Sequence, residues 1–186
     1  MNKETVAGYF VVAGVCAGLS LGGALRARAT GIQPRIADAQ AQSTTAQGEK
    51  TEMHHAKGTF EPTLVPQGPE DKTEGSTLGR MSIAKKFHGD LEATSEGQML
   101  TAGTDVKGSA GYVAIERVTG TLAGKHGSFV LQHSGTLTRS APQLSVTVVP
   151  DSGTGQFAGI TGTMTIKIEA GGKHFYEFDY MLPEKK

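Results

Sequence analysis

The stretch DSGTGQFAGITGTMTIKIE, residues 151–169, joins a glycine-rich turn to an alternating strand and decides how the chain is interpreted. Its four glycines surround a single aromatic residue, Phe157, and glycine supplies the positive-φ backbone that tight turns need. Phe157 and Ile160 have the size to fill the end of a core beneath this turn. From Met164 and Ile166 onward, apolar residues occupy every second position, which is the period of a strand. The stretch therefore predicts a structural corner in a β-sheet protein.

The Gly153-Thr154-Gly155 sequence within this stretch also has the spacing of a phosphate-binding loop. Such a loop needs the N-terminus of a helix behind it to bind an anion. Because a strand pattern follows instead, the sequence does not predict a nucleotide site.

The same period of two continues through the rest of residues 54–182. Eight segments show it: 54–64, 79–89, 91–103, 109–122, 128–138, 143–150, 161–169 and 173–182. Pro62 places the first of them at a sheet edge or at a bulge, and the polar loop 66–77 follows it. Most of the other links are short turns, which favour hairpins. We therefore predict an all-β fold, an eight-stranded antiparallel up-and-down barrel, whose interior is filled by side chains or holds one small ligand.

Many of the residues predicted to face the barrel interior are small. They include Ala93, Ser95, Gly97, Ala114, Gly120 and Gly135. Such residues can leave room for a ligand, or they can let the strands coil tightly against one another. The sequence leaves both interpretations open.

The N-terminal part of the chain has a different composition. Residues 6–25, VAGYFVVAGVCAGLSLGGAL, carry no charge, and small-x-small cleavage patterns follow within residues 27–41. We predict a signal peptide or membrane anchor at 1–41, a linker at 42–53 and the barrel at 54–186. The expected location is exported, periplasmic or secreted. An anchor is the alternative, since the run is long and its basic residues lie mainly on the far side.

Charge and cysteine content exclude two further classes. The chain has 18 basic and 18 acidic residues; four and two of them lie in residues 1–41, so the remainder has 14 and 16, a net charge of −2. This balance gives no electrostatic footprint for nucleic acid. The only cysteine, Cys16, lies in the apolar run, so the predicted barrel has no disulfide.

Long parts of the barrel sequence resemble a known family. They are HHAKGTFEPTLVPQ, LGRMSIAKKFHGDLEATSEGQML, GSAGYVAIERVTGTLAGKHGSFVLQHSGT and PQLSVTVVPDSGTGQFAGITGTMTIKIEAGGKHFYEFDY. Over residues 54–183 the chain is similar to a bacterial domain-of-unknown-function family with an allene-oxide-cyclase-like barrel. The resemblance implies an eight-stranded barrel. It does not imply any particular activity, because the family has no assigned function and a shared fold alone does not provide one. Family domains commonly begin near Met53 without an export segment, so a cytoplasmic protein that starts at Met53 is a further alternative.

Two inward-facing polar residues are the candidates for chemistry. A carboxylate at Glu116 would be unusual in an apolar interior, and His133 could pair with it as the acid and base of an isomerase. In the alternative interpretation, Glu116 pairs with Lys85 or Arg139 and only fixes the strand register. Tyr112, Ser95, Tyr176 and Phe178 are the predicted ligand-binding residues.

No cofactor or metal site is predicted, because none of the six histidines forms an HxH or HxxxH pair. Three functions remain. The first is binding of a small apolar or aromatic molecule in the barrel, and the second is an isomerase or cyclase that uses Glu116 and His133. The third is a homo-oligomeric module that associates through outward-facing apolar residues, namely Val113, Ile115, Val130, Val149 and Phe175.

Overall fold

The computed structural model describes residues 52–183, whose secondary structure is entirely β. The predicted signal peptide or anchor, and all but the last two residues of the predicted linker, lie outside this range. The strands are β1 (Met53–Pro66), β2 (Asp71–Thr73), β3 (Ser76–Gly89), β4 (Leu91–Thr104), β5 (Ala110–Leu122), β6 (Lys125–Thr138), β7 (Ala141–Val148), β8 (Thr154–Gly155), β9 (Thr161–Ile168) and β10 (His174–Met181).

Eight long strands form a closed antiparallel barrel, as predicted. β3 pairs with β4, β4 with β5, β5 with β6, and β6 with β7. β7 then pairs with β9, and β9 pairs with β10. β1 closes the barrel because it pairs with both β10 and β3. Closure removes the free edges that an open sheet would expose.

The first strand serves two neighbours along different parts of its length. Met53 to Phe60 pair with β10, whereas Gly58 to Pro66 pair with β3. Pro62 therefore lies where β1 has only one neighbour, opposite Lys85 of β3. This is the edge position that a residue without an N–H tolerates.

Two short strands were not predicted. The polar loop at residues 66–77 contains β2, which turns back onto the start of β3 through the register Thr73 to Ser76. Its sequence, Asp-Lys-Thr, is exposed throughout and carries no apolar alternation. The other short strand, β8, pairs with Gly127 and Ser128 of β6.

The glycine-rich stretch closes one end of the barrel. Phe157 and Ile160 are fully buried, and the ring of Phe157 meets that of Phe129 edge-on with centroids 5.8 Å apart. Gly155 and Gly159 have positive φ, as expected. Gly153 does not, and its role is different: a Cβ there would overlap the carbonyl oxygen of Phe157. The corner thus needs glycine partly for conformation and partly for space.

Hydrogen bonds attach this corner to β6. The N–H of Gln156 donates to the carbonyl of His126 at 2.9 Å, and the N–H of His126 donates to the side-chain oxygen of Gln156 at 2.8 Å. The hydroxyl of Ser152 accepts the N–H of Val130 at 3.0 Å. This corner, which we call the plug, is therefore held on the barrel by hydrogen bonds as well as by apolar contacts.

The barrel has two halves with different interiors. We call the half beneath the corner the closed half, where inward-facing side chains are buried: Leu91, Val118, Leu122, Phe129, Phe157, Ile160, Phe178 and Leu182. We call the other half, bounded by the turns at 66–76, 105–109, 139–140 and 169–173, the open half. There several inward-facing apolar residues keep accessible surface, namely Leu64, Met81, Leu137, Leu144, Ile166 and Ile168, whereas Met99 and Ala114 remain buried.

The wall is weakest between β7 and β9. Thr147 and Thr163 are the one pair in register between these strands in the described part of the chain. β7 and β9 each pair along their whole length with their other neighbours, β6 and β10. A seam therefore runs from this pair toward the open half.

Candidate functional site

Glu116 lies in the barrel interior, where the two halves meet. It alternates with Ala114 and Val118 on the inward face of β5, and only 1% of its surface is exposed. Gly97 of β4 is its neighbour across the ladder, and a Cβ on Gly97 would overlap the backbone and Cβ of Glu116. The absence of a side chain at Gly97 therefore leaves the space that Glu116 occupies in the interior.

Three side chains from three other strands donate hydrogen bonds to this carboxylate. Lys85 Nζ lies 2.6 Å from Glu116 Oε1, and His133 Nε2 lies 2.8 Å from the same oxygen. The hydroxyl of Ser95 donates to Oε2 at 2.7 Å. All four side chains are buried. We call Lys85, Ser95, Glu116 and His133 the Glu116 network.

Glu116 is ionised in this setting. Burial by itself would raise the pKa of Glu116, since a charge is poorly solvated in the interior. The hydrogen bond from His133 and the charge of Lys85 act in the opposite direction and prevail, which lowers the pKa to about 2. Lys85 and Glu116 thus form a buried ion pair, as the alternative interpretation of the sequence anticipated.

The charge of Glu116 determines the tautomer of His133. An ionised carboxylate only accepts hydrogen bonds, so Nε2 of His133 must carry the proton that lies between them. In the neutral imidazole, Nδ1 is then the basic nitrogen. The arrangement presents a carboxylate-oriented imidazole to the interior.

Lys85 is also surrounded by aromatic rings. Its Nζ lies 5.1 Å from the ring centroid of Phe60 and 5.8 Å from that of Phe87. A cation over the face of an aromatic ring is attracted by its negative potential. These contacts hold the ammonium group beside Glu116.

Tyr112 lies on the same inward face of β5, two positions beyond Ala114 toward the open half. It pairs across the ladder with Gly135 of β6, and a Cβ on Gly135 would overlap the tyrosine ring. Burial, followed by the negative charge of Glu116, raises the pKa of Tyr112 to about 12. Its hydroxyl is therefore neutral at ordinary pH.

His174 belongs to the same region, although sequence reasoning did not select it. It faces inward at the start of β10, and its ring centroid is 5.0 Å from that of Phe60. Burial lowers the pKa of His174, and the positive charge of Lys85 adds to the effect. The sequence did contain a signal for it: His174 alternates with Tyr176 on β10, which indicates that both side chains face the barrel interior.

The structure separates the predicted site residues into two groups. Glu116, His133 and Ser95 are bonded to one another. Tyr176 and Phe178 lie in the aromatic core: the Tyr176 hydroxyl accepts the N–H of Leu91 at 2.9 Å, and Phe178 stacks on Phe129 with centroids 5.5 Å apart.

Other surfaces of the described chain offer less. A shallow depression of about 240 Å³ on the outer wall of β4 and β5 is lined by Thr94, Ser95, Glu96, Arg117 and Thr119. Among residues 52–183, no group of three or more histidine, cysteine or acidic side chains is arranged to hold a metal ion. Within the same range, no helix has the length and hydropathy of a membrane span.

Comparisons with known proteins agree on one family. The family model described as "Protein of unknown function (DUF3224)" matches residues 56–180. The crystal structure of a protein with unknown function from the DUF3224 family of Shewanella oneidensis MR-1 is similar, with a TM-score of 0.67 and 50% identity. The similarity covers 72% of this chain and 100% of that one. No curated protein matches the sequence.

Proposed function

The chain belongs to the DUF3224 family of proteins of unknown function, and from its barrel interior we propose that it binds a small apolar or aromatic molecule in the open half. The predicted membership in a domain-of-unknown-function family is thereby confirmed. The likeness to allene oxide cyclases stays a prediction.

One observation carries this proposal: a buried polar network lies beneath apolar side chains that stay partly accessible. Binding sites for small molecules combine apolar walls with a few convergent polar groups. Here Leu144 is 40% exposed although it faces inward, and Ile166 and Leu137 are half-buried. A ligand resting on the Glu116 network would cover these side chains.

The small inward-facing residues do not by themselves provide the space. The sites of Gly97 and Gly135 are already occupied by Glu116 and by the ring of Tyr112. Gly120 is similarly filled by Ala93 of the neighbouring strand. These glycines serve close packing, so the proposed ligand occupies the open half and not the whole lumen.

A filling substitution tests the proposal. Ile166→Trp places a large side chain at an inward position of the open half, whereas Thr165→Trp places the same side chain on the outer face of the same strand. The probe is N-phenyl-1-naphthylamine, a neutral aromatic dye whose fluorescence rises in apolar sites. We expect the parent and Thr165→Trp to bind it, with Ile166→Trp at least about tenfold weaker.

Equal binding by both tryptophan variants would exclude the open half as the site. The same variants allow a second check, native mass spectrometry of the purified protein for co-purifying ligand. Co-purified mass should be retained by Thr165→Trp and lost from Ile166→Trp.

A second candidate function is an isomerase or cyclase acting on such a molecule. The hydrogen bond between His133 and Glu116 favours it, because the imidazole is oriented as a base by an ionised carboxylate. In this scheme His133 is the base and Glu116 is its positioning residue. Exchange of an acidic C–H of a bound ketone with deuterated water, followed by NMR, would detect the proton transfer. It should disappear in His133→Gln.

Two further predictions about this chain remain proposals. Export through the N-terminal apolar segment would be tested by cell fractionation. Association through the outer wall, where Val113 and Ile115 are about half exposed, would be tested by sedimentation of the parent and of Ile115→Lys.

A further inference from the structure

We propose that two copies of the chain associate through the outer face of β4 and β5, about a two-fold axis that follows the line between these strands. The inference specifies the association through the outer wall and does not depend on the ligand proposed for the open half. It follows from an exposed apolar patch, from two charges beside it and from the way both are divided between the two strands.

The apolar patch lies on the outer face of β3, β4 and β5. Leu78, Leu100, Val113 and Ile115 each have 49–55% of their surface exposed. Leu100 pairs with Val113 across the ladder, and Ile115 follows on the same face of β5. Leu78 lies on the same face of β3, two residues before Arg80, the ladder partner of Leu100. We call these four residues the Leu100 patch; contiguous apolar surface of this kind marks a contact with another molecule.

The patch differs from the association surface expected from the sequence. Val130, Val149 and Phe175 were also expected to take part, but all three are partly covered. Val130 and Val149 are hydrogen-bonded to each other beside the plug, and the Nζ of Lys173 lies 5.1 Å from the ring centroid of Phe175. The apolar surface that stays available is therefore centred on β4 and β5.

Two opposite charges lie beside the patch, toward the closed half. Glu96 of β4 and Arg117 of β5 are exposed and face each other in the ladder. Opposite charges in such a position commonly attract each other. Within residues 52–183, however, neither side chain forms an ion pair, and the shallow outer depression lies between them. Both charges can therefore meet charged groups of another molecule.

A second copy of the chain presents the complementary surface. Rotation about an axis between β4 and β5 places each residue opposite its own ladder partner in the other copy. Leu100 then meets Val113 of the second copy. Glu96 meets Arg117 of the second copy, and the same contact occurs a second time by symmetry. One apolar centre would thus be flanked by two ion pairs.

Sedimentation velocity of the full chain tests the association. A contact about two strands wide is at the small end of specific interfaces, so we expect a dissociation constant on the order of 10 µM and a dimer at about 100 µM. Glu96→Arg and Arg117→Glu each place like charges together twice in the contact. Each should weaken the self-association at least about tenfold, while circular dichroism shows an unchanged fold.

A mixture of these two variants tests the two-fold arrangement itself. In the mixed dimer both charge contacts again join opposite signs, so Glu96→Arg carrying a fluorescent label should associate with Arg117→Glu about as tightly as the parent associates with itself. Lys57→Glu is the control, because it changes the net charge equally at an exposed position of β1. It should dimerise by itself as the parent does, and it should bind the labelled Glu96→Arg at least about tenfold more weakly than Arg117→Glu does.

Every other outcome overturns the inference. A parent that is monomeric at about 100 µM leaves the Leu100 patch to a partner other than a second copy. If both charge variants dimerise as the parent does, the contact lies elsewhere on the chain. If both are monomeric and their mixture does not associate, the two-fold arrangement is wrong. The dye titration of the open half reports on a different surface, so either proposal can fail while the other stands.

Discussion

The closed and open halves of the barrel are built from the same strands and differ in what those strands place inside. On β6, Phe129 and Leu131 belong to the closed half, and His133 follows them at the next inward position. Aromatic and aliphatic side chains fill the closed half, the charged Glu116 network lies where the halves meet, and partly accessible residues line the open half. Two residues apart on the same strand, Leu131 therefore belongs to the apolar core and His133 to the candidate site.

This difference shows how the barrel can hold a buried ion pair. Burying two charges costs more than their attraction returns in many proteins. The closed half has no such cost, and its stacked rings, such as Phe178 on Phe129, supply apolar burial instead. The closed half therefore supplies most of the apolar stabilisation, and the buried charges lie beyond it, where the two halves meet.

The comparison predicts its largest effect at the plug. Phe157→Ala removes a fully buried ring from the closed half and leaves a cavity between the corner and β6. We expect the free energy of unfolding to fall by about 4 kcal/mol, measured by urea denaturation with circular dichroism. Phe175→Ala, on the outer face of β10, should cost less than about 1 kcal/mol. Equal losses would remove the distinction between plug and wall.

A somewhat smaller loss is expected from breaking the ion pair. Glu116→Leu leaves Lys85 as an unpaired buried cation and should cost about 3 kcal/mol. The double variant Glu116→Leu/Lys85→Met removes both charges, and its stability should return to within about 1 kcal/mol of the parent. If the double variant is as unstable as the single one, packing and not charge governs this layer.

Acid sharpens the same comparison. The folded-state pKa of Glu116, about 2, lies below the ordinary value of 4.5, so its stabilising contribution is present above pH 4.5 and is lost as the pH falls toward 2. The parent protein should lose roughly 2–3 kcal/mol more than the double variant over this window. Urea denaturation across the window measures the difference, and parallel curves would contradict it.

The smallest predicted effect concerns close packing in the open half. Gly135→Ala adds a Cβ that overlaps the ring of Tyr112, and we expect a loss of about 1–2 kcal/mol. Gly111→Ala, on the neighbouring strand, meets its nearest atom only at 3.7 Å and should change stability by less than about 0.5 kcal/mol. If Gly135→Ala leaves the free energy of unfolding unchanged, the ring of Tyr112 can shift to make room for the added methyl group, and the open half has more free space than this packing implies.

The sequence determined the barrel because its alternation is long and its turns are short. Alternation also placed Lys85, Glu116 and His133 inside. It could not choose between Lys85 and Arg139 as the partner of Glu116, since that choice depends on the stagger of separate strands around the barrel. Arg139 lies in the β6–β7 turn with positive φ, away from the interior positions.

Small residues and polar loops were the harder part to predict. An inward-facing glycine looks the same in the sequence whether the space beside it is empty or is filled by a neighbouring side chain. At Gly135 that side chain, Tyr112, belongs to another strand. β2 was not predicted because its residues are polar and exposed, so they show no alternation of apolar and polar positions. Both depend on tertiary neighbours that a single segment does not specify.

The junction of β7 and β9 has a consequence for how the interior communicates with water. With one registered pair at Thr147 and Thr163, this line is where the cylinder can part locally while its other ladders stay intact. Backbone amide protons that point across this junction should then exchange with solvent by brief local fluctuation, whereas those around Val118 await global unfolding. A guest molecule could pass through such a transient slit without any loop being displaced.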